Sequence, residues 1–199
     1  MHYCDTCRAA TTHGEAVLKR SAAVCAECGT ENQIPFVPLL VITGAGGCGK
    51  TTVTQALLKK PNPYFIVEAD YLLHGRGGYD SWERYWNHVA IVCRTLGRNR
   101  QPLVLTGWAY PSQMEQFHST QFFSPIHYLV LACDPETQKQ RLEERAYPDT
   151  QVDGCIDETR KLSAEADERE NATVLDTSHM TLEQVVAEVD SWILQRLPG

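Results

Sequence analysis

A chain of 199 residues, 43% hydrophobic and 22% charged, can bury one full core and carry a small appendage. No apolar run reaches the ~20 residues a membrane helix needs, and Met1-His2-Tyr3-Cys4-Asp5 lacks the apolar stretch of a secretory leader. The net charge of −7 argues against a general nucleic-acid binder but leaves room for a local basic pocket.

The chain opens on cysteines. Cys4-x-x-Cys7 and Cys25-x-x-Cys28 are separated by seventeen residues, while Cys48, Cys93, Cys133 and Cys155 are scattered. With no leader, this points to a reducing, cytoplasmic setting and a metal site in place of disulfides. Two Cys-x-x-Cys turns complete a tetrahedral S₄ site that suits Zn²⁺ and leaves no open position for catalysis. An iron–sulfur cluster uses the same ligands. His2 and His13 are spare ligand candidates, but four thiolates already satisfy zinc. Gly29 marks a sharp turn, and residues 15–20 read as a strand returning to the second pair. The spacing therefore predicts a zinc ribbon over residues 1–33, too small to fold without its metal. The polar, proline-punctuated segment Thr30–Pro35 reads as a linker into a second domain, 34–199.

That domain begins with its most specific motif. Pro38–Thr43 is an apolar run of strand length, and Thr52–Lys60 reads as a helix stopped by Pro61. Between them Gly44-Ala45-Gly46-Gly47-Cys48-Gly49-Lys50-Thr51 fits G-x-x-x-x-G-K-[ST] at every defined position. Such a loop turns consecutive backbone N–H groups inward to make an anion cradle, and the helix starting there adds its positive end. Lys50 reaches the outer phosphates and the Thr51 hydroxyl can ligate Mg²⁺. Residues 44–51 together with Thr52 are the expected nucleotide contacts. Cys48 is an unusual loop residue, read as a small tolerated side chain that could also make binding sensitive to oxidation.

Strands and helices then alternate, the mark of a parallel sheet covered on both faces. The expected strands are 38–43, 64–68, 102–106, 127–132 and 173–176. The expected helices are 81–96, a short one after Pro111, one opened by Asp134-Pro135-Glu136, a charged one over 156–169, and 181–197 with a Thr181/Gln184 capping box.

Three further features sit where a nucleotide site needs them. Strand two ends in Glu68-Ala69-Asp70, Arg141-Leu142-Glu143-Glu144-Arg145 sets two arginines four apart on one helix face, and Val174-Leu175-Asp176-Thr177 precedes the last helix. With the loop, these residues make segment 38–197 resemble the small-molecule kinases of the nucleoside-monophosphate-kinase and shikimate/gluconate-kinase group. The resemblance implies an α/β fold with a five-stranded parallel sheet and an ATP- and Mg²⁺-dependent phosphotransferase. It also implies a short lid over Tyr147–Gly154 that closes to exclude water.

Ligands sit at the carboxyl ends of parallel strands. Asp70 is accordingly expected to contact the acceptor as general base, and Glu68 to serve the metal side. Arg141 and Arg145 are expected to clamp the transferring phosphoryl opposite Lys50; a solvated ion-pair face with Glu143 and Glu144 is the competing reading. The chain departs from the group at the end of strand three, where many relatives carry an acid and this sequence has Thr106-Gly107-Trp108; Glu68 is the expected substitute. Acceptor contacts are expected from Arg76, in the glycine-rich stretch 74–80, and from Trp108. Of the other aromatics, Trp82 and Trp86 read as packing residues, and Tyr85 and Tyr110 complete the group.

The favoured acceptor is a nucleoside or nucleotide. The alternatives are a non-nucleotide alcohol such as a sugar acid or antibiotic, a polynucleotide end, and a non-catalytic nucleotide-binding module that engages a protein or RNA through the ribbon. A base-specifying N-K-x-D of a switch GTPase is absent.

Overall fold

Residues 2–11, 14–17, 22–33, 36–72, 81–97 and 101–197 are described by a computed structural model of the chain. The N-terminal part contains β1 (His2–Cys4), β2 (Ala9–Thr11), β3 (Gly14–Val17), β4 (Ala22–Cys25) and β5 (Glu31–Gln33). β1 and β2 form one antiparallel pair, and β3-β4-β5 a second antiparallel sheet. The polar segment expected as linker is thus partly a strand: Glu31–Gln33 pairs with β4, and the sequence hides this because its exposed face is all polar.

The remainder runs β6 (Val37–Thr43), α1 (Lys50–Leu58), β7 (Phe65–Glu68), a 3₁₀ turn (Ala69–Leu72), α2 (Trp82–Gly97), β8 (Leu103–Thr106) and α3 (Pro111–Met114). A second 3₁₀ turn (His118–Phe122) leads to β9 (Phe123–Ala132), α4 (Pro135–Glu143), α5 (Asp149–Asp167), β10 (Ala172–Asp176) and α6 (Leu182–Leu194). The five strands from β6 onward form an all-parallel sheet ordered β10-β9-β6-β8-β7.

β6 is buried along its whole length because helices cover both faces. Alternate residues split accordingly. Leu39 and Val41 join Tyr85, Trp86 and Val89 of α2, while Leu40 and Ile42 join Val53 and Leu57 of α1 and Val189 and Ile193 of α6. α5 lies on the α2 face, where Leu162 and Ala166 pack on Val130.

Two elements start four or more residues from expectation. β9 starts at Phe123, four residues before the expected His127, and its register with β6 shifts between Val37 and Leu39. Pro38 and Pro125 flank that shift, and neither can donate to a ladder, so the sequence reads as a break where the strand continues. α5 begins at Asp149, directly after Pro148, so most of the expected lid loop is the first turn and a half of a helix. Proline before the start and an acid in the first turn support that helix, and Gly154, which suggested a loop, sits within it with open space around its Cα.

Candidate nucleotide and acceptor site

The loop between β6 and α1 is held from three sides. Gly44 has φ of +149°, and a Cβ there would lie 2.5 Å from the Leu131 carbonyl oxygen, so only glycine allows the loop to leave the sheet so close to β9. Gln138 of α4, fully buried, donates from Nε2 to the Gly46 carbonyl at 2.7 Å and to the Cys155 carbonyl of α5 at 3.1 Å. It fastens loop, α4 and α5 together. Sequence reading passes over Gln138; the available signal is a polar residue four before buried Leu142, on the inward face of its helix. Thr43 closes the third side, its hydroxyl donating to the Ala109 carbonyl at 2.8 Å and accepting from the Ala109 N–H at 2.9 Å.

Lys50 Nζ donates to the Gly44 and Ala45 carbonyls at 2.7 and 3.1 Å. Burial pushes its ammonium below the usual lysine range, against the pull of Cys48, Asp70 and Cys155. An anion in the cradle favours the charged form. Thr51 Oγ1 donates to Glu68 Oε1 at 2.9 Å. The other Glu68 oxygen is buried without a partner, as is the hydroxyl of Thr106, its neighbour in register on β8. Thr51, Glu68 and Thr106 therefore gather hard oxygen donors beside the loop with coordination capacity unspent, a donor set that fits Mg²⁺.

Asp70 lies in the 3₁₀ turn after β7. The absence of a side chain at Gly107 admits this turn: a Cβ there would meet Ala69 Cβ at 2.8 Å and Asp70 Oδ1 at 3.9 Å. Gly107 thus leaves room for the turn that carries Asp70 at the end of the neighbouring strand. Trp108 follows, half-buried, with its indole N–H buried and unpartnered. Its ring meets Trp82 edge-on at 5.4 Å and Tyr110 at 6.1 Å. Trp86 is a core residue as expected, but Trp82 is 51% exposed and belongs to this aromatic wall instead. Arg76 and the 74–80 stretch fall outside the described residues, as does His13.

A cavity of 240 Å³ opens beside the loop, lined by Gly47, Gly49, Thr52, Arg141, Arg145 and Thr177, among others. The two arginines do not converge on one point. Arg141 donates to Thr177 Oγ1 and the Thr177 carbonyl, both at 3.1 Å, whereas Arg145 donates to Thr52 Oγ1 at 3.2 Å, one residue from Thr51. Neither pairs with Glu143 or Glu144, which face Lys139 and Gln140. Across the sheet, Glu158 of α5 accepts from the Tyr110 hydroxyl, and Glu165 accepts from the Ser112 N–H at 2.6 Å and hydroxyl at 3.1 Å. Burial and then Glu158 raise the Tyr110 hydroxyl above its usual range, so it remains a donor.

At the other end of the chain, Cys4, Cys7, Cys25 and Cys28 bring their sulfurs within 4.8 Å of one another. The closest pairs, Cys4–Cys28 and Cys7–Cys25, are 3.6 and 3.9 Å apart. A tetrahedron with 2.3 Å metal–sulfur bonds has edges of about 3.8 Å. Asn32 of β5 stitches the two turns, accepting from the Asp5 N–H at 3.2 Å and donating to the Thr30 carbonyl at 3.0 Å.

Comparison with known proteins agrees with this architecture. The family model described as AAA domain matches residues 39–166, and the chain belongs to that family. It is an ATP-dependent phosphotransferase of the P-loop kinase kind. A relative from Pyrococcus furiosus named "Putative adenylate kinase" is 27% identical over 157 residues, which cover 76% of this chain and 81% of that one. Among solved structures, a sugar kinase from Janibacter sp. HTCC2649 superimposes with a TM-score of 0.59 at 19% identity, covering 79% of this chain and 94% of its own. The tunicamycin resistance protein of Deinococcus radiodurans does so with a TM-score of 0.59 at 17% identity, covering 81% and 97%. At these identities the two structures speak for the fold.

Proposed function

We propose that the protein transfers the terminal phosphoryl group of ATP to a nucleoside or nucleotide held between Asp70 and the Trp82–Trp108–Tyr110 wall. The observation that carries this reading is the wall itself. Three aromatic rings in edge contact adjoin Gly107, against which the turn carrying Asp70 packs, and a flat base can stack where a small polyol would find few partners. The name of the 27%-identical relative points to the same acceptor class.

In this reading residues 44–52 hold the triphosphate, with Lys50 on its outer oxygens. Thr51 and Glu68, beside Thr106, hold Mg²⁺, whose charge offsets that of the phosphates. Asp70 takes the proton of the acceptor hydroxyl as it attacks in line. Arg145, already at the phosphate end of the cavity, meets charge that grows in the transition state, while Arg141, docked on Thr177, borders the nucleoside end. The N-terminal four-cysteine group holds Zn²⁺: thiolates this close surround a single ion, and a cluster would force them apart. The division at 33/34 separates a metal-dependent ribbon from the kinase domain, and the cytoplasm keeps its thiols reduced.

A thermal-shift panel tests the acceptor. With a non-hydrolysable ATP analogue and Mg²⁺ present, nucleosides or nucleoside monophosphates raise the melting temperature further, whereas sugar acids, antibiotics and RNA ends do not. Stabilisation by one of the latter groups alone contradicts the assignment.

A further inference from the structure

Cys48 belongs to the phosphate loop, yet it is 1% exposed and packs with Ala45, Leu131 and Cys133 beneath the loop. Its sulfur lies 4.0 Å from that of Cys133, which follows the last residue of β9 and donates its thiol hydrogen to Cys48. The Thr159 hydroxyl stands 3.3 Å away on α5. Cys48 serves the proposed triphosphate site only as part of the loop backbone, no role in phosphoryl transfer falls to either thiol, and neither belongs to the N-terminal metal group. Two sulfurs in contact need move only ~2 Å to reach the ~2.05 Å of a disulfide. Their environments are unequal. The Cys133 thiol, then Thr159 and Lys50, hold the Cys48 thiol at about 6 despite its burial, while Cys48 and burial push Cys133 well up. One sulfur is thus set as nucleophile and the other as its resolving partner. The pair is buried but lies between two cavities. Cys48 forms part of the wall of the nucleotide cavity, and Cys133 part of a second cavity of 360 Å³ bordered by Asp134, Thr159, Ser163 and Asp176.

We propose that Cys48 and Cys133 are a redox modification site at which a hydroperoxide drives formation of a disulfide that ties the phosphate loop to the end of β9 and releases its nucleotide. The Cys48 thiolate attacks the peroxide oxygen, the O–O bond breaks, and hydroxide leaves as water after taking a proton. The Cys133 sulfur then attacks the Cys48 sulfenic acid, the S–O bond breaks, and the departing hydroxide takes the Cys133 proton. The sum is two thiols and one hydrogen peroxide giving one disulfide and two waters. Drawing Cys48 towards β9 disturbs its N–H bond to the Ala45 carbonyl, 3.4 Å long, and displaces the flanking backbone of Gly47 and Gly49, on which the shape of the cradle depends.

The test uses the full metal-loaded chain, treated with a few equivalents of hydrogen peroxide with and without Mg-ATP, and a zinc indicator to report damage at the N-terminal cysteines. Unreduced peptide mapping should find Cys48 joined to Cys133, and less of that product when ATP is present. Affinity for a fluorescent ATP analogue should fall roughly tenfold or more and return with dithiothreitol, as the loop regains its shape. Cys133→Ala should bind the analogue normally before treatment, and after it should lose binding that dithiothreitol does not restore, because unresolved Cys48 proceeds to the sulfinic acid. A Cys48–Cys155 product, or no cross-link with affinity unchanged at a dose that releases no zinc, overturns the proposal. Failure of the untreated protein to bind the analogue would instead count against the nucleotide site itself, leaving the cross-link as a separate result.

Discussion

Lys50 donates to two loop carbonyls, which hold its ammonium at the loop and not in the hydrophobic core. Lys50→Ala should therefore lower turnover by roughly 10³-fold or more while the melting temperature changes little. Steady-state rates beside a thermal melt check this; near-normal turnover in a folded variant contradicts the assigned role. Asp70→Asn keeps the shape of the side chain but cannot take a proton. Turnover should drop far more than ATP affinity, as measured by titration with the non-hydrolysable analogue, and a collapse of ATP affinity with the rate preserved would move Asp70 to the nucleotide side. Gln138→Leu removes both donors behind the loop. It should cost about 1–3 kcal/mol of stability through the unpaired Gly46 carbonyl and also weaken ATP binding. Chemical denaturation and nucleotide titration on the same variant read the two effects.

At the scale of elements, α4 carries two arginines with separate partners, and their variants should differ. Arg145→Ala should lower kcat more than it raises KM for ATP, because its guanidinium lies beside Thr52 at the phosphate end. Arg141→Ala should chiefly raise KM, because Arg141 braces Thr177 at the other end of the cavity. Equal effects of both variants on kcat would restore the common clamp that their four-residue spacing suggests. The i,i+4 rule places two side chains on one face but does not say where each guanidinium goes, and here Thr177 and Thr52 decide it. The same limit explains the lid. Pro148, Asp149 and Gly154 read locally as a loop, yet they start α5, whose later turns are held to the sheet and to the segment after β8 by Leu162, Glu158 and Glu165. Helix caps, by contrast, were written plainly. Thr181 and Gln184 form the reciprocal box their spacing calls for, and Asp134 accepts from the Thr137 N–H at 2.9 Å.

For the whole molecule, the phosphate loop and the alternation of strands and helices make the kinase core readable from local patterns, because the central strands β6 and β8 are buried along their whole length and read as apolar runs. The proposed acceptor side is less legible. Asp70, Gly107, Trp108 and Trp82 come from three separate stretches of sequence, and it takes both the packing of the turn after β7 against Gly107 and the ring contact from the start of α2 to bring them together. The N-terminal cysteines are the opposite case, since paired Cys-x-x-Cys turns announce their own geometry. Elemental analysis should find about one zinc per chain. Cys4→Ser combined with Cys25→Ser should lose it and disorder the N-terminal sheets while nucleotide binding persists; loss of ATP binding in that variant would show that the ribbon supports the core.

The most direct measurement of the central claim is product analysis by mass spectrometry. The protein is incubated with Mg-ATP and a mixture of nucleosides, nucleoside monophosphates, sugar acids, antibiotics and RNA 5′ ends. A nucleoside or nucleoside monophosphate should gain one phosphoryl group as ADP accumulates, and the product should vanish with Lys50→Ala. Phosphorylation confined to a sugar acid, an antibiotic or RNA, or release of ADP with no acceptor modified, would contradict the account.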